Sequence, residues 1–253
     1  MIHGMSGGEW CWYKYKPFFE NKGYKCIVPV LRYHEDKDKY DKRLANTSIL
    51  DYVNDIEKVI KQLDELPILM GHSMGGLIAQ ILASRGLAKG IVLLTPAWPR
   101  GIFTVDFSAL RIFWRTVWKH IFSRDPSKMS FRKIVYAMLE DLADEEKRFV
   151  YDNLGYESVR TVFEIGLWFL DFNKATLVDE SKVTCPILLI GGTYDRITSV
   201  KAIRKIAGKY GCTQAKVDRR YIEYEGQSHW ILGGPRCDEV CNFIYNEWLL
   251  KNY

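Results

Sequence analysis

The first residue of this sequence that could carry chemistry is a serine set among glycines. Residues 71–75 read Gly-His-Ser-Met-Gly, between the apolar run 68–70 and a helical pattern that starts at Gly76. A sharp strand-to-helix turn lifts such a hydroxyl above the edge of a sheet, and small neighbours let the backbones approach closely. The helix also points its positive N-terminal end at this place. The pattern predicts Ser73 as a nucleophile; the alternative is a glycine-rich turn without chemistry.

A nucleophilic serine needs a base, and the chain has five histidines. His229 lies in the polar loop 225–230, directly after the apolar run 221–224. A loop at the end of a strand can hold an imidazole over the sheet edge, so His229 is the predicted base. The others lie in glycine motifs, in a loop or in a helical segment: His3, His72, His34 and His120.

An acid must hold the imidazole in the tautomer that accepts the serine proton. Asp195 follows the apolar run 187–190 and a glycine pair, which puts it at the end of a predicted strand. Asp179 and Glu180 precede this run and would lie at its opposite end. Asp195 is therefore the predicted acid, and Asp106 is a weaker fallback.

The glycine-rich turn at residues 3–8 could stabilise a developing oxyanion. It reads His-Gly-Met-Ser-Gly-Gly after a short apolar start. Backbone N–H groups in such a turn and after the nucleophile can face the oxyanion, so the amides of Met5 and Met74 are the predicted donors. The Ser6 hydroxyl could add to them, although Ser6 fits a turn-forming role better. Together these residues predict acyl transfer through a serine nucleophile.

Alternating apolar runs and helical patterns must position these residues. The spacing predicts strands at 24–28, 68–70, 91–95, 187–190 and 221–224, with residues 1–2 as the stump of an earlier strand. Ser48 and Asp51 form a start signal for a helix over residues 49–66. This alternation predicts an α/β fold with a mostly parallel sheet flanked by helices. Because the chain opens on a turn that normally follows a full strand, the N-terminal strands are expected to be truncated, and upstream residues should raise stability and turnover.

Residues 99–175 interrupt the alternation with helical periodicity and many aromatic residues. They predict a helical lid, inserted after the strand that ends near Thr95, over a core of residues 1–98 and 176–253. Trp114, Trp118 and Phe122 are predicted to line an apolar pocket, the alternative being the lid's own core. Residues 101–133 hold seven basic and two acidic side chains, whereas residues 134–180 hold four and eleven. Either these halves attract each other, or the basic face meets anionic lipid or an acidic substrate.

Composition excludes several other classes of protein. A net charge of +5 over 253 residues is too small to indicate nucleic-acid binding, and no run of 18 apolar residues predicts a transmembrane helix. The six scattered cysteines lack metal-site spacing. They permit disulfides without requiring them and favour a reducing, cytoplasmic compartment. We expect neither a metal nor another cofactor.

The chain resembles the α/β-hydrolase superfamily over nearly its whole length. The matching pieces are His3-Gly4, Trp10, Leu31-Arg32 with His34, residues 71–76, residues 191–195 and Ser228-His229. The order Ser, Asp, His is the order of that family. Residues 8–14 look like plant methylesterases and hydroxynitrile lyases. The lid and residues 191–195 look more like bacterial carboxylesterases and monoacylglycerol lipases.

The resemblance implies a serine hydrolase that cleaves a small, lipophilic carboxylic ester through an acyl-enzyme intermediate. One alternative is cofactor-free lyase or perhydrolase chemistry on the same three residues. Another is a non-catalytic small-molecule receptor with the same fold, because this fold hosts many functions. The acyl and alcohol groups are not specified by the sequence.

Overall fold

Parallel strands form the central sheet of the computed structural model, which describes residues 1–103, 111–113, 125–126, 128–211 and 218–253. Within these residues the sheet has four strands in the order β1-β2-β3-β4. Their bounds are β1 Ile68–His72, β2 Gly90–Leu94, β3 Ile187–Gly192 and β4 Arg219–Tyr224. Ile2 adds an isolated parallel bridge to Gly71, on the side of β1 that β2 leaves open. The predicted α/β architecture is confirmed.

Helices cover both faces of this sheet. The α-helices are α1 Tyr15–Glu20, α2 Ile49–Ile60, α3 Met74–Ser84, α4 Phe131–Met138, α5 Asp144–Asn153, α6 Val159–Gly166, α7 Val200–Gly211, α8 Cys237–Phe243 and α9 Leu250–Asn252, with a π-helix at Ile244–Leu249 between the last two. Short 3-10 helices lie at Glu9–Trp12, Lys42–Asn46, Trp168–Leu170 and Glu180–Lys182.

The buried side chains of the strands alternate between two cores. Ile91 and Leu93 of β2 pack in one core with α2, α3 and α7, whereas Val92 and Leu94 pack in the other with α1, α8 and the π-helix. This alternation follows from the two-residue repeat of a strand. Because both faces are covered, the central strands β2 and β3 are buried along their whole length, as in other parallel sheets, whereas the edge strand β4 carries Arg219, Arg220 and Glu223.

Two predicted elements differ from the structure. Residues 24–28 form no strand: the Met1 amino group donates to the carbonyl of Ile27, and the Tyr24 N–H donates to the carbonyl of Phe19 at the end of α1. One hydrogen bond to the N-terminal segment cannot form the repeated ladder of backbone bonds that defines a strand. Helix α2 starts at the predicted Ser48–Asp51 capping box but ends at Ile60 instead of residue 66. Residue 66 precedes a proline, which disfavours helical backbone there.

The described part of the lid is helical and shares the cores of the sheet. It includes α4, α5, α6 and the 3-10 helix Trp168–Leu170, and no strand is assigned among its described residues. Ile165 packs in the same core as α2, whereas Met138 and Val150 pack in the core of α8. The lid is thus anchored on both sides of the sheet. The boundary at residues 98–99 and 175–176 stays a prediction.

All four strands end at the edge where the candidate site lies. Ser73 follows β1, Thr95 follows β2, Asp195 lies three residues after β3, and His229 lies in the loop after β4. Parallel strands bring their carboxyl ends to one edge, where ligands bind in open α/β sheets. The fold therefore carries the predicted nucleophile, acid and base to the same edge.

Candidate active site

Ser73 occupies a strained turn between β1 and α3. Its backbone angles are φ 52° and ψ −119°, which side-chain-bearing residues rarely adopt and which cost about 1–3 kcal/mol. Its carbonyl accepts the N–H groups of Gly76 and Leu77 in the first turn of α3. A Cβ on Gly75 would overlap the carbonyl oxygen of Ile2. The glycine is needed because the N-terminal segment crosses the elbow here, as the sequence motif predicts.

His229 and Asp195 form a buried hydrogen-bonded pair. Nδ1 of His229 donates to Oδ2 of Asp195 at 2.7 Å, and the residues are 1% and 5% exposed. The other carboxylate oxygen of Asp195 accepts the N–H groups of Ile197 and Thr198, each at 2.8 Å. With the proton held on Nδ1, Nε2 of His229 is the ring nitrogen able to accept one. This is the arrangement of a general base and its orienting acid.

His72 connects the elbow to the histidine loop. It precedes Ser73, and its Nε2 donates to the carbonyl of His229 at 3.0 Å. Thr95 Oγ1 donates to the same carbonyl at 3.0 Å. Burial and the nearby His229 lower the pKa of His72 to about 3. His72 is therefore neutral and fixes the loop as a hydrogen-bond donor.

The glycine-rich turn at residues 3–8 lies against the elbow. A Cβ built on Gly4 would lie 3.0 Å from the Cβ of Ser73. The Leu31 N–H donates to Nε2 of His3, and Nδ1 of His3 lies 2.8 Å from the carbonyl of Gly4, to which it donates. Burial and the neighbouring His34 lower the pKa of His3 to about 3, so this ring is neutral. Gly4 thus brings the turn into contact with the candidate nucleophile.

The two predicted oxyanion donors are the residues next in the chain after Gly4 and Ser73, which approach each other closely. Met5 comes directly after Gly4, and Met74 begins α3 directly after Ser73. Neither backbone N–H donates a hydrogen bond to any group in the part of the chain that the structure describes. The amide of Met74 also lies at the positive N-terminal end of α3. Both amides are therefore available to an anionic oxygen beside Ser73.

The lid binds the histidine loop through residues that sequence reasoning did not identify. The carbonyl of Met138 accepts Ser228 Oγ at 2.7 Å and the Trp230 N–H at 3.1 Å. Oδ2 of Asp141 accepts the Ser228 N–H at 3.2 Å and the Gln227 side chain at 3.0 Å. Asp141 lies in the acidic stretch of residues 134–180. No local pattern distinguishes it from the exposed acids around it.

A cavity opens between the glycine-rich turn and the helices of the predicted lid. Its lining is mainly apolar, with one lysine and one buried glutamate: Met5, Ser6, Phe113, Lys128, Met129, Ile134, Leu154, Gly155, Glu157 and Val162. The predicted pocket residues Trp114, Trp118 and Phe122 lie outside the described residues, as does the fallback acid Asp106. Their roles stay predictions. Phe113, the neighbour of Trp114, does line this cavity.

Among the residues that the structure describes, no group of three or more His, Cys, Asp or Glu side chains could hold a metal ion. No described helix is both long and apolar enough to cross a membrane.

The fold and the site define an α/β protein with a strained strand-to-helix turn at Ser73, a buried His–Asp pair and a glycine-rich turn at one sheet edge. The family model for the alpha/beta hydrolase family matches residues 1–241, and the chain belongs to that family.

Relatives and solved structures agree with this assignment. Methylesterase 9 of Arabidopsis thaliana is 30% identical over 92 residues, which are 33% of this chain and 32% of that protein. The match therefore spans about a third of this curated relative. The crystal structure of Paleococcus ferrophilus monoacylglycerol lipase has a TM-score of 0.69 at 20% identity, covering 100% of this chain and 93% of that one. That of an Arabidopsis methylesterase has a TM-score of 0.70 at 13% identity, with 98% of both chains covered.

Proposed function

We propose that the protein is a serine hydrolase that cleaves carboxylic esters through an acyl-enzyme intermediate. The observation that carries this proposal is the buried His229–Asp195 hydrogen bond at the sheet edge where the strained elbow presents Ser73. Relatives named methylesterase and a structural neighbour named monoacylglycerol lipase support an ester as the substrate.

The geometry supports a two-step acyl transfer. His229 takes the proton of Ser73 as Oγ attacks the ester carbonyl, and the amides of Met5 and Met74 stabilise the tetrahedral oxyanion. His229 then protonates the departing alcohol, which leaves Ser73 acylated. Water attacks the acyl group in the second step with His229 again as base, and the acid and free Ser73 are released. Asp195 stabilises the imidazolium in both steps.

We further propose that the acyl group is uncharged and of short to medium length. The cavity next to Met5 is lined by apolar side chains such as Leu154 and Val162. In a series of p-nitrophenyl esters from acetate to palmitate, kcat/KM should rise about tenfold toward a middle chain length, because each methylene buried in an apolar pocket adds binding energy. Val162→Phe should move the optimum to shorter chains by narrowing the cavity. A flat profile, or activity confined to acetate, would contradict an apolar acyl pocket.

The same assays separate the alternatives. A hydrolase should release a burst of p-nitrophenol equal to the enzyme concentration when deacylation is slow. A receptor would bind esters without a burst. Cleavage of a cyanohydrin, or peroxide-dependent oxidation, at a rate above ester hydrolysis would instead favour the lyase or perhydrolase reading.

We propose that the lid also contacts a lipid surface, through a segment other than its basic half. Phe169, Leu170 and Phe172 are 48%, 48% and 94% exposed, and Lys174 follows them. Exposed aromatic side chains beside a lysine suit the interface of a bilayer. Phe172→Ser should weaken binding to phosphatidylserine vesicles about tenfold, whereas Leu250→Ser, an exposed apolar change on α9, should not. Equal binding by both variants and the parent chain would contradict a lid contact.

We also propose a reducing, cytoplasmic setting. The cysteine spacing gives no disulfide framework, and the five described cysteines are free thiols: Cys11, Cys26, Cys185, Cys237 and Cys241. Fractionation of cells that express the full-length gene would test it.

A further inference from the structure

The turn that carries Met5 is fastened to the lid at Ser6. Ser6 has φ 59°, in the left-handed region that residues with side chains seldom occupy. Its N–H donates to Oε2 of Glu157 at 2.8 Å, and its carbonyl accepts the N–H of Gly155 at 2.8 Å. Both polar backbone groups of Ser6 are therefore held by lid residues. These two bonds favour a conformation that the turn would otherwise populate weakly.

Glu157 is buried, and each of its carboxylate oxygens accepts two hydrogen bonds. Oε2 accepts from Ser6 and from Nε2 of His34, and Oε1 accepts from the Tyr52 hydroxyl at 3.0 Å and the Ser158 N–H at 2.7 Å. These donors come from the oxyanion turn, the loop before α2, α2 itself and the lid. A buried carboxylate with four donors fixes the relative positions of all the segments that supply them.

Protonated His34 supplies a positive charge that balances Glu157. Its Nε2 lies 3.2 Å from Glu157 and its Nδ1 lies 3.0 Å from the carbonyl of Arg32, so both nitrogens face acceptors and the imidazolium form fits. Burial would lower the pKa of His34, but the attraction of Glu157 and these hydrogen bonds raise it above 6.5. The rings of His3 and Tyr52 pack against His34, and Glu35 adds a further favourable charge.

The pH range in which this pair stabilises the fold follows from the pKa shifts of His34 and Glu157. The raised pKa of His34 stabilises the fold fully below pH 6.5, and this contribution is lost as the pH rises through the raised value. Burial would raise the pKa of Glu157, but His34 and the hydrogen bonds lower it below 4.5. Its contribution is present above pH 4.5 and is lost as the pH falls through the lowered value. Both partners of the pair are therefore charged between pH 4.5 and pH 6.5, and the His34 charge is lost as the pH rises through its raised pKa.

We infer that Glu157 is a positioning residue for oxyanion stabilisation. The inference rests on the proposed function, because it assigns the Met5 amide to the oxyanion. The Ser6 N–H belongs to the planar peptide unit that joins Met5 to Ser6. Its bond to Glu157 therefore fixes this unit and limits the backbone rotation of Met5 on its carbonyl side. A donor of this kind contributes about 10²- to 10³-fold to turnover when it is preorganised. Glu157 therefore holds the turn that carries Met5 in a fixed position relative to the lid.

Glu157→Gln tests this with little change of shape. The glutamine amide can donate to a neutral His34 and keep its oxygen on Tyr52 and Ser158, which leaves the Ser6 N–H without its acceptor. We expect kcat for a p-nitrophenyl ester to fall about 10- to 100-fold, with KM changed less than about threefold, because the lost stabilisation belongs to the transition state. Labelling by a fluorophosphonate should slow by a similar factor.

Glu164→Gln is the matched control. Glu164 is also a buried lid glutamate, but it accepts from Ser48 and the Ile49 N–H at the start of α2 and from Arg160, and none of these donors belongs to the turn at residues 3–8. Its kcat should stay within about threefold of the parent chain. Hydrogen exchange of the peptide that contains Ser6 adds a structural readout: it should accelerate in Glu157→Gln and not in Glu164→Gln.

The outcomes separate this inference from the proposed function. Equal kcat losses in the two variants, or unchanged exchange at Ser6 in Glu157→Gln, would overturn the positioning role while ester hydrolysis by the parent chain stands. A parent chain with neither ester hydrolysis nor fluorophosphonate labelling would instead overturn the proposed function. If Glu157→Gln does not fold, Glu157→Asp keeps the charge and withdraws the carboxylate by one methylene. It should then show the same fall in kcat and faster exchange, and parent-like values in both would contradict the inference.

Discussion

Ester hydrolysis should fall on the order of 10³-fold or more when Ser73 is replaced by alanine, and fluorophosphonate labelling should disappear. The hydroxyl sits on the elbow between β1 and α3, beside the turn that carries Gly4. Alanine removes the attacking oxygen but keeps the Cβ, so the fold should be retained. The measurement is the initial rate with the best p-nitrophenyl ester, together with mass spectrometry of the labelled protein.

Ser84→Ala is the matched control for this variant. Ser84 lies at the end of the same helix, where its hydroxyl donates to the carbonyl of Ile81 at 2.8 Å, far from the candidate site. It should keep parent-like labelling and turnover. Labelling that persists in Ser73→Ala would place the nucleophile elsewhere. A melting temperature near that of the parent chain would show that the loss is chemical and not structural.

The sequence predicted most of the sheet and the elbow because these features depend on local patterns. Apolar runs located β1 to β4, and the capping box located the start of α2. Gly75 indicated that another backbone segment passes close to the turn, and in the structure this segment is the one that carries Ile2. Strand order along the chain then sufficed to bring Asp195 and His229 to one edge, where they form a 2.7 Å hydrogen bond.

Other features depend on contacts that a local pattern does not encode. Glu157 and Asp141 belong to residues 134–180, which hold eleven acidic side chains, and sequence reasoning described this stretch only by its net charge. Only the fold shows that Glu157 turns inward to Ser6 and His34. Likewise, residues 24–28 are apolar enough for a strand, but strand formation also requires a paired neighbour along the full length.

Asp195→Asn is expected to lower kcat by 10³- to 10⁴-fold, with little change in KM. Oδ2 of Asp195 accepts the Nδ1 proton of His229, and Oδ1 accepts two backbone N–H groups. An asparagine would keep its oxygen on those backbone donors, so its amide N–H₂ would face Nδ1. The imidazole would then carry its proton on Nε2, where it cannot accept the proton of Ser73.

Asp171→Asn provides the comparison for this substitution. Asp171 is a similarly buried aspartate that accepts the backbone N–H groups of Asn173 and Ala175 in the lid, without contact to an imidazole. It should change kcat by less than about threefold. The double variant Asp195→Asn with Ser73→Ala should be no slower than Ser73→Ala alone, because the acid acts through the serine that the second change removes. Full activity in Asp195→Asn would rule out Asp195 as the acid, and Asp106→Asn would then be the next variant to measure.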